Sequence, residues 1–328
     1  MKSIYSGHLP DEFGFLGDTA FSHGAVAVGV AAAKKIPEQI FQSYLSWVSS
    51  SRSGELNYLN DRMDVRRNPG HEGIVADAAV VVSIAFPYGN GAVDSGIWQY
   101  VASYARGRDY HKTIRTKLKA IGKDIKRRFI NANWRVFVDS VPVLERTWAV
   151  LAGIGSIGKN GMLIVPDIGT RVLLGEIVLS NVPGVGKDIL ETELNTFPLC
   201  GTCTRCIEAC PTGALTGDGS LNVPRCLSYI SIEKRSHTVP EDVSEKMKLI
   251  FGCDECVTCC PQNPEVQTVI TPPAEKNPAP SLEAMVEMDE ETLRHRLKGT
   301  CLFRTGATQL KENGRRVLRN LNSKIKIT

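Results

Sequence analysis

The sequence of 328 residues has no long hydrophobic run and few aromatic side chains. No segment reaches the ~18 consecutive apolar residues of a membrane-spanning helix, and the longest candidate, residues 78–86, has the length of a buried strand. The first residues, Met1 to Tyr5, contain neither an apolar signal core nor a twin-arginine start. With 42% hydrophobic and 23% charged residues, the composition excludes disordered, collagen-like and coiled-coil proteins. We therefore expect a globular, cytoplasmic protein with no membrane partner.

Positive charge is unevenly distributed, although the net charge is only +4. Residues 294–328 contain ten Lys or Arg and one acid, Glu312, so this segment carries +9 and the rest of the chain −5. Residues 106–128 contain ten Lys or Arg and two Asp, and carry +8. Segments this basic suit a polyanion, because each neutralised phosphate releases counterions. Solvated helix faces explain the same charge equally well, so charge alone leaves both interpretations open.

The sequence contains ten cysteines, and nine of them fall between residues 200 and 260. In a reducing compartment, clustered cysteines indicate metal binding and seldom disulfides. The first Cys run has the spacing of bacterial two-cluster ferredoxins, Cys200-x2-Cys203-x2-Cys206-x3-Cys210-Pro211. The second Cys run also ends in Cys-Pro but departs from that spacing, Cys253-x2-Cys256-x2-Cys259-Cys260-Pro261. The two runs predict two [4Fe–4S] clusters; a zinc site is the alternative, although four cysteines would suffice for it.

Two such clusters need about eight thiolates, and nine candidates are present. In crossed ligation the first three cysteines of one run share a cluster with a Cys-Pro cysteine of the other. The first cluster would then be held by Cys200, Cys203, Cys206 and, most simply, Cys260. The second would be held by Cys210, Cys253, Cys256 and either Cys226 or Cys259. Cys301 has no neighbour at ligand spacing, and we expect it to bind neither cluster.

Strand and helix patterns alternate in the amino-terminal half. Apolar residues predict strands at 78–86, 134–138 and 170–179, and helical spacing predicts helices at 110–130 and 143–152, with a further helix-like pattern ending near Val48. This alternation predicts an α/β sheet domain at residues 1–185. A two-cluster ferredoxin-like domain at residues 186–270 and a basic helical tail at residues 271–328 would follow.

The segment Gly153 to Lys159 matches G-x-G-x-x-G and, except for Asn160, the P-loop pattern. It follows a predicted helix and leads into an extended segment, whereas a dinucleotide fingerprint follows a strand and opens a helix. We therefore expect a loop that lets the backbone approach another large ligand, or a plain helix-to-strand turn.

Asp139 stands at the end of a predicted strand, where either a functional carboxylate or a helix cap is expected. Other polar residues beside apolar runs are more often structural when taken singly: Arg66, Arg67, His111, Glu145, Arg146 and Glu176.

Ten short blocks, in order between about residues 25 and 325, resemble the epoxyqueuosine reductase family. In the first half these are Arg106–Lys112, Phe137–Ser140, Leu144–Arg146, Ala152–Asn160 and Leu174–Glu176. In the second half they are Cys200–Pro211, Cys226–Glu233, Cys253–Asn263, Phe303–Arg304 and Arg315–Asn320. The resemblance implies a cobalamin-dependent oxidoreductase with two [4Fe–4S] clusters. Its reaction would remove the epoxide oxygen of epoxyqueuosine in the tRNA anticodon and give queuosine.

The resemblance also implies residue roles. It makes Cys226 a ligand and Cys259 an extra thiol, so the clusters would be held by Cys200, Cys203, Cys206 and Cys260, and by Cys210, Cys226, Cys253 and Cys256. It places the proton donor at Asp139. Cobalamin contacts are expected from Arg66, Asp139, Lys159, Asn160, Leu163 and Leu174, and tRNA contacts from Lys311, Arg315, Arg316 and Arg319. The implied partners are tRNAs of the His, Asp, Asn and Tyr anticodon types and an external low-potential electron donor, with the enzyme a monomer.

The implied chemistry sets requirements on these residues. Opening an epoxide to an alkene takes two electrons, here from Co(I) recharged by the clusters, and a proton for the departing oxygen. We expect Asp139 to be protonated near neutral pH, because burial beside an apolar corrinoid face penalises the carboxylate. No Asp-x-His-x-x-Gly motif is present, so the predicted cobalamin is base-off. Two alternatives are a corrinoid reductive dehalogenase, whose export signal is missing here, and a non-catalytic electron-transfer module.

Overall fold

A computed structural model describes residues 4–89, 96–139, 141–183, 198–236, 238–264 and 279–325. Its strands are β1 (Tyr5–Ser6), β2 (Ala27–Ala32), β3 (Val80–Pro87), β4 (Asn133–Phe137), β5 (Ser156–Ile157), β6 (Leu163–Ile164) and β7 (Val172–Ser180). The helices of the first half are α1 (Leu16–Ser22), α2 (Glu38–Val48), α3 (Met63–Arg67), α4 (Tyr110–Arg128) and α5 (Glu145–Leu151). Those of the second half are α6 (Arg205–Ala209), α7 (Leu227–Ile232), α8 (Glu241–Ser244), α9 (Glu255–Thr258), α10 (Leu282–Glu287), α11 (Glu290–Leu297) and α12 (Ala307–Ile325).

Five strands form one mixed sheet in the order β1-β2-β3-β7-β4. Only β1 and β2 run parallel; the other three pairings are antiparallel. Within the register, Glu176 at the centre of β7 lies opposite Ser83 of β3 on one side and Phe137 of β4 on the other. The strands predicted at 78–86, 134–138 and 170–179 are confirmed to within a few residues.

Helices cover both faces of the sheet. One face packs against α2 and α5 in a core that includes Phe41 and Trp148, and the other packs against α1 and α4. The apolar side of α4 is fully buried through Leu118, Ile121 and Ile125, which confirms the helix predicted at 110–130. Since these residues recur every three to four positions, most basic side chains of α4 are left on the opposite, exposed face. Lys117 instead lies over the Phe86 ring, and Lys126 donates to the carbonyl oxygen of Ala132.

The second half has its own core, which draws on all three predicted domains. It combines residues 97–105 of the first half with α7, α10, α11 and α12. The buried amide of Asn313, on α12, donates hydrogen bonds of 2.9 Å to the carbonyl oxygens of Ser231 and Ile250. The predicted boundaries near residues 185 and 270 lie outside the described residues, so the division into domains stays a prediction.

Strands β5 and β6 form a separate antiparallel pair, and the loop between them contacts both Cys runs. The Lys159 ammonium donates to the carbonyl oxygens of Gly201 and Cys203 at 2.7 and 3.1 Å, and the Asn160 amide donates to that of Cys256 at 3.1 Å. The predicted helix-to-strand turn is confirmed, because residues 152–155 connect α5 to β5; its proximity to the Cys runs was not predicted. No helix among the described residues combines the length and the apolar character needed to cross a membrane.

Candidate active site and cluster sites

Asp139 lies two residues beyond the end of β4 and adopts a left-handed backbone conformation, with φ of 52°. Its Oδ2 atom accepts hydrogen bonds from the Tyr110 hydroxyl at 3.2 Å and from His111 Nε2 at 3.0 Å, and lies 3.8 Å from an Arg304 nitrogen. Its backbone N–H donates to the Glu145 carboxylate. Positive φ is strained for a residue other than glycine, so these contacts hold Asp139 in a conformation it would rarely adopt alone.

His111 lies between two carboxylates. Its Nδ1 atom is 2.6 Å from Oδ1 of Asp109, and its Nε2 atom faces Asp139. Asp109 is the N-cap of α4 and accepts the His111 backbone N–H at 3.1 Å, so the start of this helix fixes both side chains. The Tyr110 ring stacks on the imidazole with centroids 4.0 Å apart. The result is a continuous chain of polar atoms from Asp109 through His111 to Asp139.

The proton in this chain resides on His111. Burial lowers the pKa of His111, but hydrogen bonds to Asp109 and Asp139 outweigh it and raise the pKa to about 11. The His111 hydrogen bond lowers the pKa of Asp139, and the charges of His111 and Arg304 add to this against the effect of burial. The expectation that burial keeps Asp139 protonated near neutral pH is therefore wrong for this structure. Half of the Asp139 side chain is exposed, and the adjacent imidazolium stabilises its carboxylate.

Behind Asp139 lies a second pair of carboxyl groups. Glu176 is 0% exposed and accepts a long hydrogen bond of 3.4 Å from the Ser83 hydroxyl. Its carboxyl group is in hydrogen-bonding contact with that of Glu145, which is the first residue of α5. Burial raises the pKa of Glu145 to about 7 and that of Glu176 well above its ordinary value. Both shifts favour a proton shared between the two carboxyl groups.

Two tyrosines lie close to Asp139: Tyr110, which donates to it, and Tyr58. Burial raises the pKa of the Tyr58 hydroxyl, and the charges of Glu233, Arg304 and Asp139 act on it, so Tyr58 is close to all three. Its side chain is nevertheless 48% exposed. Phe303, which precedes Arg304 in the chain, is 39% exposed and has the Arg294 guanidinium over its ring. Exposed aromatic rings beside a carboxylate and an arginine suit a planar, polar ligand such as a nucleobase.

Four thiols from both Cys runs and the segment between them lie together: Cys210, Cys226, Cys253 and Cys256. Burial raises the pKa of Cys226, and the neighbouring Cys210 adds to this effect. Burial likewise raises the pKa of Cys253 to about 12, with Cys226 again adding to it. Buried thiols that lie this close together lose their protons when a metal cation binds. These four sulfur atoms therefore fit a metal cluster as ligands.

The remaining thiols of the two runs form a second group: Cys200, Cys203, Cys206, Cys259 and Cys260. Burial raises the pKa of Cys260, and the nearby Cys200 and Cys203 add to the rise. Burial also raises the pKa of Cys259, with contributions from Cys260 and Cys203. Cys259 thus lies with this group, which favours Cys226 over Cys259 in the other one. The assignment of individual ligands stays a prediction.

Apart from Asp139, the residues predicted to contact cobalamin lie in three environments. The side chains of Lys159 and Asn160 donate hydrogen bonds to backbone carbonyl oxygens of the Cys runs. Leu163 and Leu174 pack in the core beneath α5. Arg66 is buried and donates to the carbonyl oxygens of Tyr58 and Asp61 at 2.9 and 3.1 Å. In the same glycine-containing segment as Lys159, the buried hydroxyl of Ser156 has no hydrogen-bond partner among the described residues. A polar group of a bound ligand would satisfy that hydroxyl.

The four predicted tRNA contacts all lie on α12 but differ in exposure. Arg315 and Arg319 are exposed one helical turn apart. Lys311 donates to the carbonyl oxygen of Met288 at 2.6 Å, and Arg316 is 11% exposed beside Glu312, 3.8 Å away. Arg315 and Arg319 are therefore the members of this set that present their charge to solvent. Of the rest of the basic tail, the Lys324 side chain and all of Lys326 lie outside the described residues.

Several residues of the site were not assigned a role from the sequence: Asp109, Tyr110, Arg304 and Cys301. The first three belong to blocks that carry the family resemblance, which was the available signal. Cys301 was expected only to be outside the clusters; its buried thiol lies 3.7 Å from Oδ1 of Asp109. Nothing in local spacing could have placed it there, because 192 positions separate the two residues.

Comparison with known proteins agrees with this geometry. Residues 66–140 match the family described as epoxyqueuosine reductase QueG, DUF1730, and residues 199–263 match the 4Fe-4S double cluster binding domain. The epoxyqueuosine reductase of Cyclobacterium marinum is 34% identical over 294 residues, which cover 88% of this chain and 90% of that protein. The chain belongs to the epoxyqueuosine reductase family. It is thus an oxidoreductase with a double [4Fe–4S] cluster domain.

Solved structures of epoxyqueuosine reductases share the fold. The enzyme from Streptococcus thermophilus superimposes with a TM-score of 0.79 at 26% identity, covering 95% of this chain and 83% of that one. An epoxyqueuosine reductase crystallised with a tRNA-Tyr epoxyqueuosine-modified stem loop also has a TM-score of 0.79, at 25% identity, covering 93% and 80%. These matches confirm the predicted fold class of a sheet domain joined to a two-cluster domain.

Proposed function

We propose that this chain reduces epoxyqueuosine in tRNA to queuosine. In the balanced reaction both C–O bonds of the epoxide break, a C=C bond forms, and the oxygen leaves as water after taking up two electrons and two protons. The electrons come from an external low-potential one-electron donor. The observation that carries the proposal is the 3.0 Å contact between His111 and Asp139, which can supply a proton beside the half-exposed ring of Tyr58.

Asp139 delivers the proton in this scheme and His111 supplies it. As negative charge develops on the departing oxygen, Asp139 passes on a proton taken from His111 Nε2 at its Oδ2 atom. Asp109 stabilises the imidazolium before the transfer and fixes its orientation through Nδ1. Solvent then reprotonates His111, and the second proton follows the same route.

The two clusters and cobalamin would bind around this proton chain. We assign the clusters to Cys200, Cys203, Cys206 and Cys260, and to Cys210, Cys226, Cys253 and Cys256, which the grouping of the thiols supports. Cobalamin would be held by Arg66, Asp139, Lys159, Asn160, Leu163 and Leu174, and the unpartnered Ser156 hydroxyl fits the amide groups at a corrin periphery. When bound, cobalamin supplies a metal centre that accepts electrons from the clusters and donates them in pairs.

Basic surfaces would hold the tRNA while one base enters the site. Arg315 and Arg319 on α12 and the exposed basic face of α4 can contact phosphates, which set position but not sequence. Tyr58 and Phe303 can stack on the unpaired base. tRNAs of the His, Asp, Asn and Tyr anticodon types are the expected substrates, and we expect a cytoplasmic monomer.

The test is anaerobic turnover of epoxyqueuosine-containing tRNA with a strong reductant, with and without added cobalamin, followed by nucleoside mass spectrometry. We expect cobalamin-dependent queuosine formation.

Replacing Asp139 with Asn should lower kcat about 10²- to 10⁴-fold, as for loss of a positioned proton donor. Asp77→Asn is the matched control, because Asp77 is exposed and also has a positive φ. Full turnover by Asp139→Asn with both cofactors bound would show that Asp139 is not the proton donor.

A further inference from the structure

Glu176 occupies a position that a carboxylate should not occupy. It lies on the same face of β7 as Leu174 and Val178, which both pack in the core beneath α5. The group is fully buried, and its Oε2 atom has no hydrogen-bond partner among the described residues. A buried carboxylate without a counter-ion takes up a proton, because the charged form loses its hydration. The carboxyl group of Glu145 is in contact and can share that proton.

Glu145 connects this buried group to the reaction centre. Its Oε1 atom accepts the backbone N–H of Asp139. The charged groups around the pair are Asp139 on one side and Arg146 on α5, whose guanidinium donates to the Gly161 carbonyl oxygen. His111 and Arg304 face Asp139 from its other side, at 3.0 and 3.8 Å. Among the described residues no cation forms a salt bridge with Glu145 or Glu176. The charge of Arg146 lowers the pKa of Glu145, and a proton shared between the two carboxyl groups would offset the second negative charge.

We propose that Glu145 and Glu176 form a proton-sharing carboxyl pair that positions Asp139 for proton transfer. The pair holds the backbone of Asp139 in its left-handed conformation, while His111 and Tyr110 hold the side chain. When the shared proton is lost at alkaline pH, two adjacent carboxylates repel each other, and the charge of Arg146, which acts on Glu145, balances at most one of them. Glu145 then withdraws from the Asp139 N–H. Both are positioning residues, since neither reaches the reacting atoms, and this role rests on the proposed function.

Three substitutions distinguish the effect of the shared proton from that of the Glu145 oxygen that accepts the Asp139 N–H. Glu145→Ala removes the acceptor and should lower kcat about tenfold to 100-fold at unchanged KM for tRNA, as for a reacting group displaced by about 1 Å. Glu145→Gln keeps an acceptor oxygen for Asp139 and adds an N–H for Glu176, so it should restore at least about tenfold of that loss. Glu176→Gln replaces the titratable carboxyl group with an amide whose N–H can donate to Glu145 at any pH. The alkaline limb of the plot of kcat against pH should therefore shift to higher pH by about one unit or more. Glu283→Gln, on the exposed side of α10, is the matched control.

A readout without substrate tests the pair even if the enzyme acts on something else. Infrared difference spectroscopy between pH 6 and pH 9 should show a protonated carboxyl group that ionises in the wild type and Glu283→Gln, and whose band is lost or displaced in Glu176→Gln. Absence of that carboxyl signal in the wild type would overturn the shared proton. If the signal is present but Glu145→Ala keeps wild-type kcat, the positioning role is wrong. Should Glu145→Ala fail to fold, the Glu145→Gln and Glu176→Gln profiles decide, and an unshifted alkaline limb in both contradicts the proposal.

Discussion

The Nε2 atom of His111 lies 3.0 Å from Oδ2 of Asp139, although the two residues are 28 positions apart and come from the start of a helix and the end of a strand. We expect His111→Gln to lower kcat about 10²-fold or more, because the proton source for Asp139 is removed. Asp109→Asn, which leaves His111 in place but weakens its imidazolium, should have a smaller effect. Single-turnover rates with saturating tRNA measure both, and equal losses in the two variants would argue for a purely structural role of this chain of residues.

The same pair makes stability depend on pH in a defined direction. The pKa of His111 is raised from 6.5 to about 11, so its contribution is complete below pH 6.5 and is lost as pH rises toward 11. The pKa of Asp139 is lowered, so its contribution is present above about pH 4 and is lost as pH falls further. His111→Gln should therefore destabilise most between about pH 4 and 6.5, by roughly 1 kcal/mol for a partly exposed pair. Denaturant unfolding across pH measures this, and a destabilisation that grows above pH 8 would contradict it.

Cys226 and Cys259 should differ in iron binding. Cys226→Ser removes one assigned ligand, so about half of the roughly eight iron atoms should be lost or labile. Cys259→Ser should retain all the iron, and Cys301→Ser is a second control because its thiol contacts Asp109 instead. Iron analysis with electron paramagnetic resonance of the reduced protein distinguishes these outcomes. Iron loss in Cys259→Ser with full iron in Cys226→Ser would exchange their roles.

Asn313 should matter for the stability of the whole second core. Its buried amide satisfies two carbonyl oxygens, and replacing it with Ala leaves both unpaired. We expect a loss of about 2–4 kcal/mol from two unsatisfied buried acceptors. The change would appear as a lower Tm, with earlier loss of cluster absorbance. Asn322→Ala, exposed on the same helix, should leave both unchanged.

Exposed arginines on α12 should contribute to tRNA affinity and little to the chemical step. Arg315→Ala with Arg319→Ala should raise the Kd for tRNA and reduce the slope of log affinity against log salt by about 2, one for each lost phosphate contact. The double variant Lys34→Ala, Lys35→Ala removes the same charge from another exposed segment and should have little effect. Equal losses in both double variants would show that only net charge matters.

Local pattern explains which elements could be predicted. Helix α4 and strand β3 were predictable because their apolar residues repeat at helical spacing or run continuously. Strand β2 was not recognised, since it consists of Ala, Val and Gly, which fit several structures. Its Gly29 is required because a Cβ there would collide with the carbonyl oxygen of Ala152, a contact between distant segments.

The candidate site was predictable only in part, for the same reason. Asp139 could be proposed from its place after a strand and from the family resemblance. Its ionisation could not, because this depends on His111 and Arg304, which the fold brings from 28 positions upstream and from near the carboxyl terminus. The pairing of Glu145 with Glu176 likewise needs the register of β7 against its neighbours.

The contacts of Lys159 and Asn160 have a consequence for how the enzyme matures. Their side chains donate to backbone carbonyl oxygens of both Cys runs, so the conformation of the segment from Gly158 to Met162 is coupled to loops that metal loading should stabilise. We therefore expect an obligatory assembly order in which iron–sulfur insertion precedes corrinoid uptake. Hydrogen exchange of this segment in iron-free protein should be fast and should slow on reconstitution. Tight corrinoid uptake by iron-free protein would show that the order is not obligatory.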